Sequence, residues 1–372
     1  MRRRAVARAS TDRYGDKPSL RVVRFNMWYH PAMAERYADE PDITLQTCEL
    51  EGEDDAAWSA LANAHAYQIS SAKDEIQQHW FANPELLRRA PKLLCVSANG
   101  AGCDTIDIPA CTAGGVLVVN QAGANAQSVA EHAIGAMLDV ARRITESDRL
   151  LRKTRGFSRE DLMGIEMSGK VLGLVGIGNV GTKVARMAAA FDMKVLATDP
   201  YLSDKEIATR GAESVSLDEL LRRSNFVSLH CPRDSTTMRM IDARAYSKMK
   251  RSAIFVSTAR GGIHDETALA AALSSGHLGG AALDVWDFEP PPLDHPLLRF
   301  NNVVATYHTS GVTPEARGRM GARAADQIVE LLRGKRPPRL LNPDALPLFR
   351  RRFQTLMGFP SEEKRSLAAM QD

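Results

Sequence analysis

Residues 171–199 read VLGLVGIGNVGTKVARMAAAFDMKVLATD, and their pattern decides the fold. The apolar run Val171, Leu172, Leu174 and Val175 leads into Gly176-Ile177-Gly178-Asn179-Val180-Gly181. A helical pattern follows through Val184, Ala185, Met187, Ala188 and Phe191, and a second apolar run, Val195 to Ala197, ends at Asp199. Strand, glycine turn, helix, strand and carboxylate in that order form a dinucleotide site. Gly176 allows the turn out of the strand, Gly178 lets backbone approach a pyrophosphate, and Gly181 lets the helix pack on the sheet. The helix start offers free N–H groups and the positive end of its dipole to phosphate. Asn179 and Val180 stand at that start. Asp199 accepts hydrogen bonds from ribose hydroxyls and repels a 2'-phosphate, which favours NAD over NADP. A glycine turn used only for packing explains the glycines but not the acid.

On the N-terminal side, short apolar runs alternate with helical patterns at Val22–Phe25, Ile43–Leu45, Tyr67–Ile69, Leu93–Val96 and Val116–Val118. Such alternation predicts a parallel sheet with crossover helices, so residues 20–124 form an α/β domain of their own. Asn125 to about Arg152 reads as one long helix, apolar through Val129, Ala133, Ala136, Met137, Val140 and Ile144. It suits either a connector that also packs against a second subunit or an ordinary core helix. On the C-terminal side, strands are expected at Phe226–Leu229, Ile254–Ser257, Ala281–Val285 and Val303–Thr306. A last helix, Pro314 to Leu332, returns the chain to the first domain and is stopped by Gly334 and Pro337-Pro338.

The expected architecture is therefore α/β, with two doubly wound parallel-sheet domains. A Rossmann NAD-binding domain, 125–313, is inserted in a flavodoxin-like substrate domain, 20–124 plus 314–345. Residues 1–19, Arg-rich and without an apolar h-region, read as a disordered arm or an overlong start and not a secretory signal. Residues 346–372, including Arg350-Arg351-Arg352, read as a solvated C-terminal tail with one aromatic-bearing segment.

The chain has 372 residues, 44% hydrophobic and 25% charged, which is ordinary for a globular protein. Its net charge of +3 is concentrated at the two ends, so the middle is mildly acidic and a nucleic-acid surface is not expected. No apolar stretch approaches a membrane span. Cys48, Cys95, Cys103, Cys111 and Cys231 show no C-x-x-C spacing and read as reduced thiols of a cytoplasmic protein, with no metal site.

Hydride transfer to a 2-keto acid needs a cation for the carboxylate, a proton donor at the carbonyl and a group that keeps the donor charged. Three segments at expected strand ends offer them: Val256 to Gly262 with Arg260, Leu283 to Pro290 with Glu289, and Ala305 to Gly311 with His308. Each also has a plain structural reading: Arg260 as a surface ion pair, Glu289 as a loop acid, His308 as one of nine histidines.

These segments resemble the D-isomer-specific 2-hydroxyacid dehydrogenase family. The resemblance rests on His230-Cys231-Pro232, Thr258-Ala259-Arg260-Gly261-Gly262, Leu283-Asp284-Val285, Glu289-Pro290, His295-Pro296-Leu297, Gly100 to Asp107 and Val129-Ala130-Glu131-His132. It implies that Arg260 binds substrate, that His308 is the acid/base and that Glu289 pairs with it. It also implies cofactor contacts from Gly176, Gly178, Asn179, Val180, Gly181, Asp199, His230, Cys231, Pro232, Thr258, Ala259, Asp284, Ser310 and Gly311. Asn99, Gly100 and Ala101 would take the substrate carboxylate, in a cleft that closes on both ligands. The family's usual dimer implies a homodimer through the nucleotide halves. Tyr307 departs from the proline usual before the catalytic histidine, and Trp286 stands where Phe or Tyr is common. Met27 to His30 and Ser70 to Lys73 are expected to line the substrate side. The regulatory C-terminal domain of many phosphoglycerate dehydrogenases is not expected here, nor is serine feedback through it.

Three other functions share parts of the pattern. Formate dehydrogenases have this fold but typically carry Gln where Glu289 stands. Phosphite dehydrogenases keep the trio. Corepressor relatives bind NAD(H), keep the trio and recruit short peptides through the first domain.

Overall fold

The computed structural model describes residues 19–27 and 29–361, in two compact units. The first unit joins residues up to Gln121 with those from Met320 onward, and the second runs from Ala122 to Arg319. The Arg-rich segment 1–18, Trp28 and residues 362–372 lie outside the described residues.

In the first unit the chain runs β1 (Leu20–Phe25), α1 (Ala32–Ala38), β2 (Ile43–Cys48), α2 (Asp54–Ala62), β3 (Ala66–Ile69), α3 (Pro84–Arg89), β4 (Cys95–Ala98), α4 (Ile108–Ala113) and β5 (Leu117–Val119). All pairings are parallel, in the order β2-β1-β3-β4-β5. That is the flavodoxin-like order. Alternate side chains of β1 serve opposite cores. Val23 and Phe25 pack with Trp58, Tyr67 and Trp80, whereas Leu20 and Val22 pack with residues contributed from beyond Met320.

The second unit contains α5 (Ala126–Arg142), α6 (Ile144–Lys153), β6 (Val171–Val175), α7 (Asn179–Ala189), β7 (Lys194–Thr198), α8 (Asp204–Thr209), β8 (Glu213–Ser214), α9 (Leu217–Arg223), β9 (Phe226–Leu229), α10 (Ala243–Lys248), β10 (Ala253–Ser257), α11 (Glu266–Ser274), β11 (Leu278–Leu283) and β12 (Val303–Ala305). Its sheet is parallel in the order β12-β11-β10-β9-β6-β7-β8. From β6 outward this is the doubly wound Rossmann order with one more strand at the edge. The order reverses between β6 and β9, so the crevice for a ligand lies at their C-terminal ends. α12 (Pro314–Leu332) then carries the chain into the first unit, where α13 (Leu346–Met357) follows.

Three expectations need correction. The predicted helix 125–152 is two helices, α5 and α6, because Arg143 adopts a left-handed backbone (φ 54°) between them. The break is held by Asp139, which accepts from Thr145 N at 2.7 Å, and by Arg143, which pairs with Glu146 at 2.7 Å. Residues 346–361 are not a solvated tail: Phe349 and Phe353 of α13 are buried beside Ile328 and Leu332, and Arg352 turns inward to donate to the Pro91 and Leu93 carbonyls. The strand predicted at Ala281–Val285 ends at Leu283, so Asp284 and Val285 belong to the loop above the sheet.

Candidate active site

The cofactor edge is built around the turn after β6. Gly176 has φ +89°, and a Cβ there would lie 2.9 Å from His230 O and Cys231 N after β9. A Cβ at Gly181 would lie 2.4 Å from Gly176 O, so this glycine lets α7 fold back onto the turn. At Gly178 an added Cβ would meet nothing within 4 Å. Its open side faces out at the N-terminus of α7, where a helix offers unpaired N–H groups to phosphate.

Asp199 holds the turn together: one carboxylate oxygen accepts from Ile177 N at 3.0 Å, the other from Tyr201 N at 3.1 Å. A carboxylate has about four acceptor sites, so ribose hydroxyls can be taken beside these bonds. Arg210, at the end of α8, donates to Ile177 O at 2.7 Å. Sequence reading missed this cation at the glycine turn, because it lies well beyond Asp199 in the chain.

Across the edge, burial pushes the His230 imidazole down to about 4, and its Nε2 bonds Ser228 Oγ at 2.9 Å. Burial pushes the Cys231 thiol up to about 11, so it stays protonated. Pro232 is exposed at the loop start and Ala259 is buried. The Thr258 hydroxyl is buried without a partner among the described residues, an orphaned polar atom that fits a group met by a ligand. The residues at this edge therefore fit a dinucleotide.

The three chemistry-bearing residues come from three neighbouring strand ends. His308 Nδ1 donates to Glu289 Oε2 at 2.8 Å, which leaves Nε2 for a substrate oxygen. Burial by itself lowers the imidazole. The hydrogen bond and charge of Glu289 outweigh it, the positive charge of Arg260 opposes them, and the net direction is upward from the ordinary value. His308 remains 32% exposed in its side chain, so its proton can be exchanged with a ligand or solvent. Arg260 Nη1 donates to the Ala259 carbonyl at 2.7 Å.

His308 has φ +49°, a strained conformation for a residue other than glycine, and the loop around it is pinned. Its backbone N donates to Asp284 O at 2.6 Å. The Asp284 side chain is 1% exposed and takes Thr306 Oγ1 at 2.6 Å and the backbone N–H groups of Thr309 and Ser310 at 2.9 Å each. The structure thus gives Asp284, expected at the nicotinamide, a direct part in shaping the histidine loop. His132 Nε2 bonds Thr306 Oγ1 at 3.2 Å from α5, a contact no local motif revealed. Gly311 closes the loop, since a Cβ there would lie 2.7 Å from the Asn125 side-chain nitrogen.

In the first unit, Asn99, Gly100 and Ala101 follow β4. A Cβ at Gly100 would lie 2.5 Å from Ser71 Oγ, and the carbonyls of Gly100 and Ala101 accept from Gln121 N at 2.8 Å and Asn120 Nδ2 at 2.7 Å. Of Met27 to His30, Arg24 stacks on the Tyr29 ring at 4.4 Å and His30 Nδ1 accepts from Ala32 N at 3.1 Å. Trp28 lies outside the described residues.

A cavity of about 390 Å³ lies away from this edge. It opens at the opposite, N-terminal end of the same sheet, between Arg143, Met163, Ile165, Ser252 and Asn302. It brings together none of the predicted site residues. Among the described residues, no group of three or more His, Cys, Asp or Glu could hold a metal, and no helix is long and apolar enough to cross a membrane. All five cysteines are free.

Comparison with known proteins identifies relatives of the same kind as the site. Residues 134–310 match the sequence family described as D-isomer specific 2-hydroxyacid dehydrogenase, NAD binding domain. A D-3-phosphoglycerate dehydrogenase of Mycobacterium leprae is 42% identical over 309 residues, covering 83% of this chain and 55% of the relative. A glyoxylate reductase of Thermofilum pendens is 39% identical over 266 residues, covering 70% and 78%. Among solved structures, a Thermus thermophilus protein superposes with TM-score 0.76 at 30% identity, covering 87% of this chain and 100% of the other. The chain spans about half the length of the phosphoglycerate dehydrogenases it matches, 47% for the one from Archaeoglobus fulgidus.

Proposed function

Because the chain belongs to the D-isomer specific 2-hydroxyacid dehydrogenase family, we propose that it interconverts a D-2-hydroxy acid and its 2-keto acid, with His308 as acid/base, Glu289 as its partner and Arg260 as the substrate cation. The observation that carries this reading is the 2.8 Å His308–Glu289 pair at the C-terminal edge of a doubly wound sheet. NAD would be held by the glycine turn Gly176 to Gly181 and Asp199, and would supply the hydride acceptor for oxidation and, reduced, the donor for reduction.

In reduction, Arg260 forks onto the substrate carboxylate and the ketone oxygen, drawing charge toward the oxygen. His308 Nε2 gives that oxygen its proton, and Glu289 stabilises the imidazolium beforehand. In oxidation, neutral His308 takes the hydroxyl proton. Asp284 and Thr306 hold the strained histidine loop. In the first unit, Asn99, Gly100 and Ala101 are proposed as further contacts of the carboxylate. D-3-phosphoglycerate and glyoxylate are the two substrates suggested by the relatives' names.

The second unit is proposed to carry a homodimer face. α6 has no buried residue, although Ile144 and Leu151 are apolar, and Met163 beside the cavity is 71% exposed. The function is tested by NADH oxidation against a panel of 2-keto acids including 3-phosphohydroxypyruvate and glyoxylate. Turnover of at least one is expected. No turnover of any, by protein shown to bind NADH, sinks the reading.

A further inference from the structure

The residue between the three catalytic segments is Trp286, only 3% exposed. Its indole N–H donates to Thr306 O at 2.9 Å, two residues before His308. Its backbone N–H donates to Glu289 Oε1 at 3.0 Å, while the other oxygen of that carboxylate takes His308 Nδ1. Its backbone carbonyl is covered by the segment that carries Arg260: a Cβ at Gly261 would lie 1.8 Å from Trp286 O. One residue therefore touches the segments of the cation, the carboxylate and the imidazole.

The tryptophan is itself braced. Its ring meets the His295 ring edge-on, with centroids 5.5 Å apart. His295 Nε2 lies 3.1 Å from Glu266, and Glu266 accepts from Asp287 N at 2.7 Å. Asp287 in turn accepts from Gly262 N at 2.6 Å. The ring and the loop are thus fixed from behind, and the front side is left to Glu289 and Thr306.

We propose that Trp286 is a positioning residue that sets the register of Arg260, Glu289 and His308 relative to one another, and that its indole N–H is the part that matters. The proposal rests on the catalytic roles assigned above. A phenylalanine has no donor to place at Thr306 O and leaves part of the indole's volume unfilled. That carbonyl follows β12 directly and leads into the left-handed turn at His308, a conformation that persists only where surrounding bonds impose it. Without the donor, the imidazole is free to drift from Glu289, and small misplacements of this kind cost much of the advantage of a preset site.

Two variants test this in the full-length protein. One is Trp286→Phe. The other replaces Trp286 by β-(3-benzothienyl)alanine, which keeps both rings and lacks only the N–H, so it folds even where phenylalanine leaves a cavity. In both, kcat for keto-acid reduction is expected to fall about fivefold to tenfold, as for one lost hydrogen bond, with NADH binding unchanged within about twofold. The pH at which reduction fades is expected to move down, because the imidazolium is less well held. Unchanged kcat and an unchanged pH profile in the folded benzothienyl protein overturn the proposal. If the wild type turns over no keto acid, the functional reading fails on its own. The positioning role is then decided by NMR titration of His308, whose midpoint must drop in the variants and which overturns the proposal if it stays where it was.

Discussion

At His308 the direction of the proton follows from its two neighbours. Glu289 raises the imidazole above its ordinary value despite burial, so the charged form persists to higher pH. Reduction needs that form and is expected to hold at low pH and fade as pH rises through the raised value. Oxidation needs the neutral form and does the reverse. Glu289→Gln removes the charge and should move the fade of reduction to lower pH; a profile that stays in place contradicts the pairing. His308→Gln should lower kcat in both directions by about 10²–10⁴ while NADH binding, followed by fluorescence, is retained. Gly261 makes a different kind of demand. A methyl there would sit 1.8 Å from the Trp286 carbonyl, so Gly261→Ala is expected to destabilise the second unit by more than about 2 kcal/mol in urea titrations, or to fold with Arg260 displaced and little activity. At this scale the placement of Arg260, Glu289 and His308 after neighbouring strands was legible because their segments carry ordered motifs. The indole bond of Trp286 and the His132–Thr306 contact were not, since both join residues far apart in sequence through side chains with no local signature.

At the scale of elements, the β6 turn and α7 followed from local pattern, because each glycine answers a backbone demand that a single turn imposes. Asp199 accepts from two backbone N–H groups of the turn and is the residue proposed to meet the cofactor ribose. Asp199→Asn keeps an acceptor for one N–H while removing the charge, and the preference for NADH over NADPH is expected to narrow by about tenfold or more. Equal ratios of kcat/KM for the two cofactors before and after the change would refute the assignment. The break at Arg143 was hidden because the apolar spacing continues through Ile144, and only the fold shows that Ile144 is 56% exposed. α13 was hidden for the opposite reason: its three consecutive arginines mask a buried Phe349–Phe353 stripe. Among the described residues, His264, next to α11, has no hydrogen-bond partner for either ring nitrogen, and burial holds it down to about 4. Its folded value is depressed, so the unfolded chain takes up the proton first, and stability declines as pH falls from about 6.5 toward about 4, by roughly 3 kcal/mol at most. His264→Leu should make that part of the urea-midpoint profile shallower, with the remaining slope due to His230, without loss at neutral pH.

For the whole molecule, the homodimer face proposed on α6 is tested by sedimentation, which at micromolar concentration is expected to show a dimer. A monomer there contradicts the proposed face, and Ile144→Lys with Leu151→Lys should produce one without changing NADH binding. The two-sheet architecture was legible because alternating apolar runs and helical patterns set parallel sheets almost by themselves, whereas the exact closing segment was not. That closing segment has a consequence for how the protein is made. The core beneath Leu20 and Val22 is completed by Ile328, Leu332, Phe349 and Phe353, which the ribosome adds only after the whole of residues 122–319. At typical synthesis rates of about 5–20 residues per second, one face of the first sheet waits roughly 10–40 s for its cover. Until then the apolar face of the first sheet has no cover from its own chain, while the nucleotide unit, contiguous in sequence, has all its own parts before the polypeptide is finished.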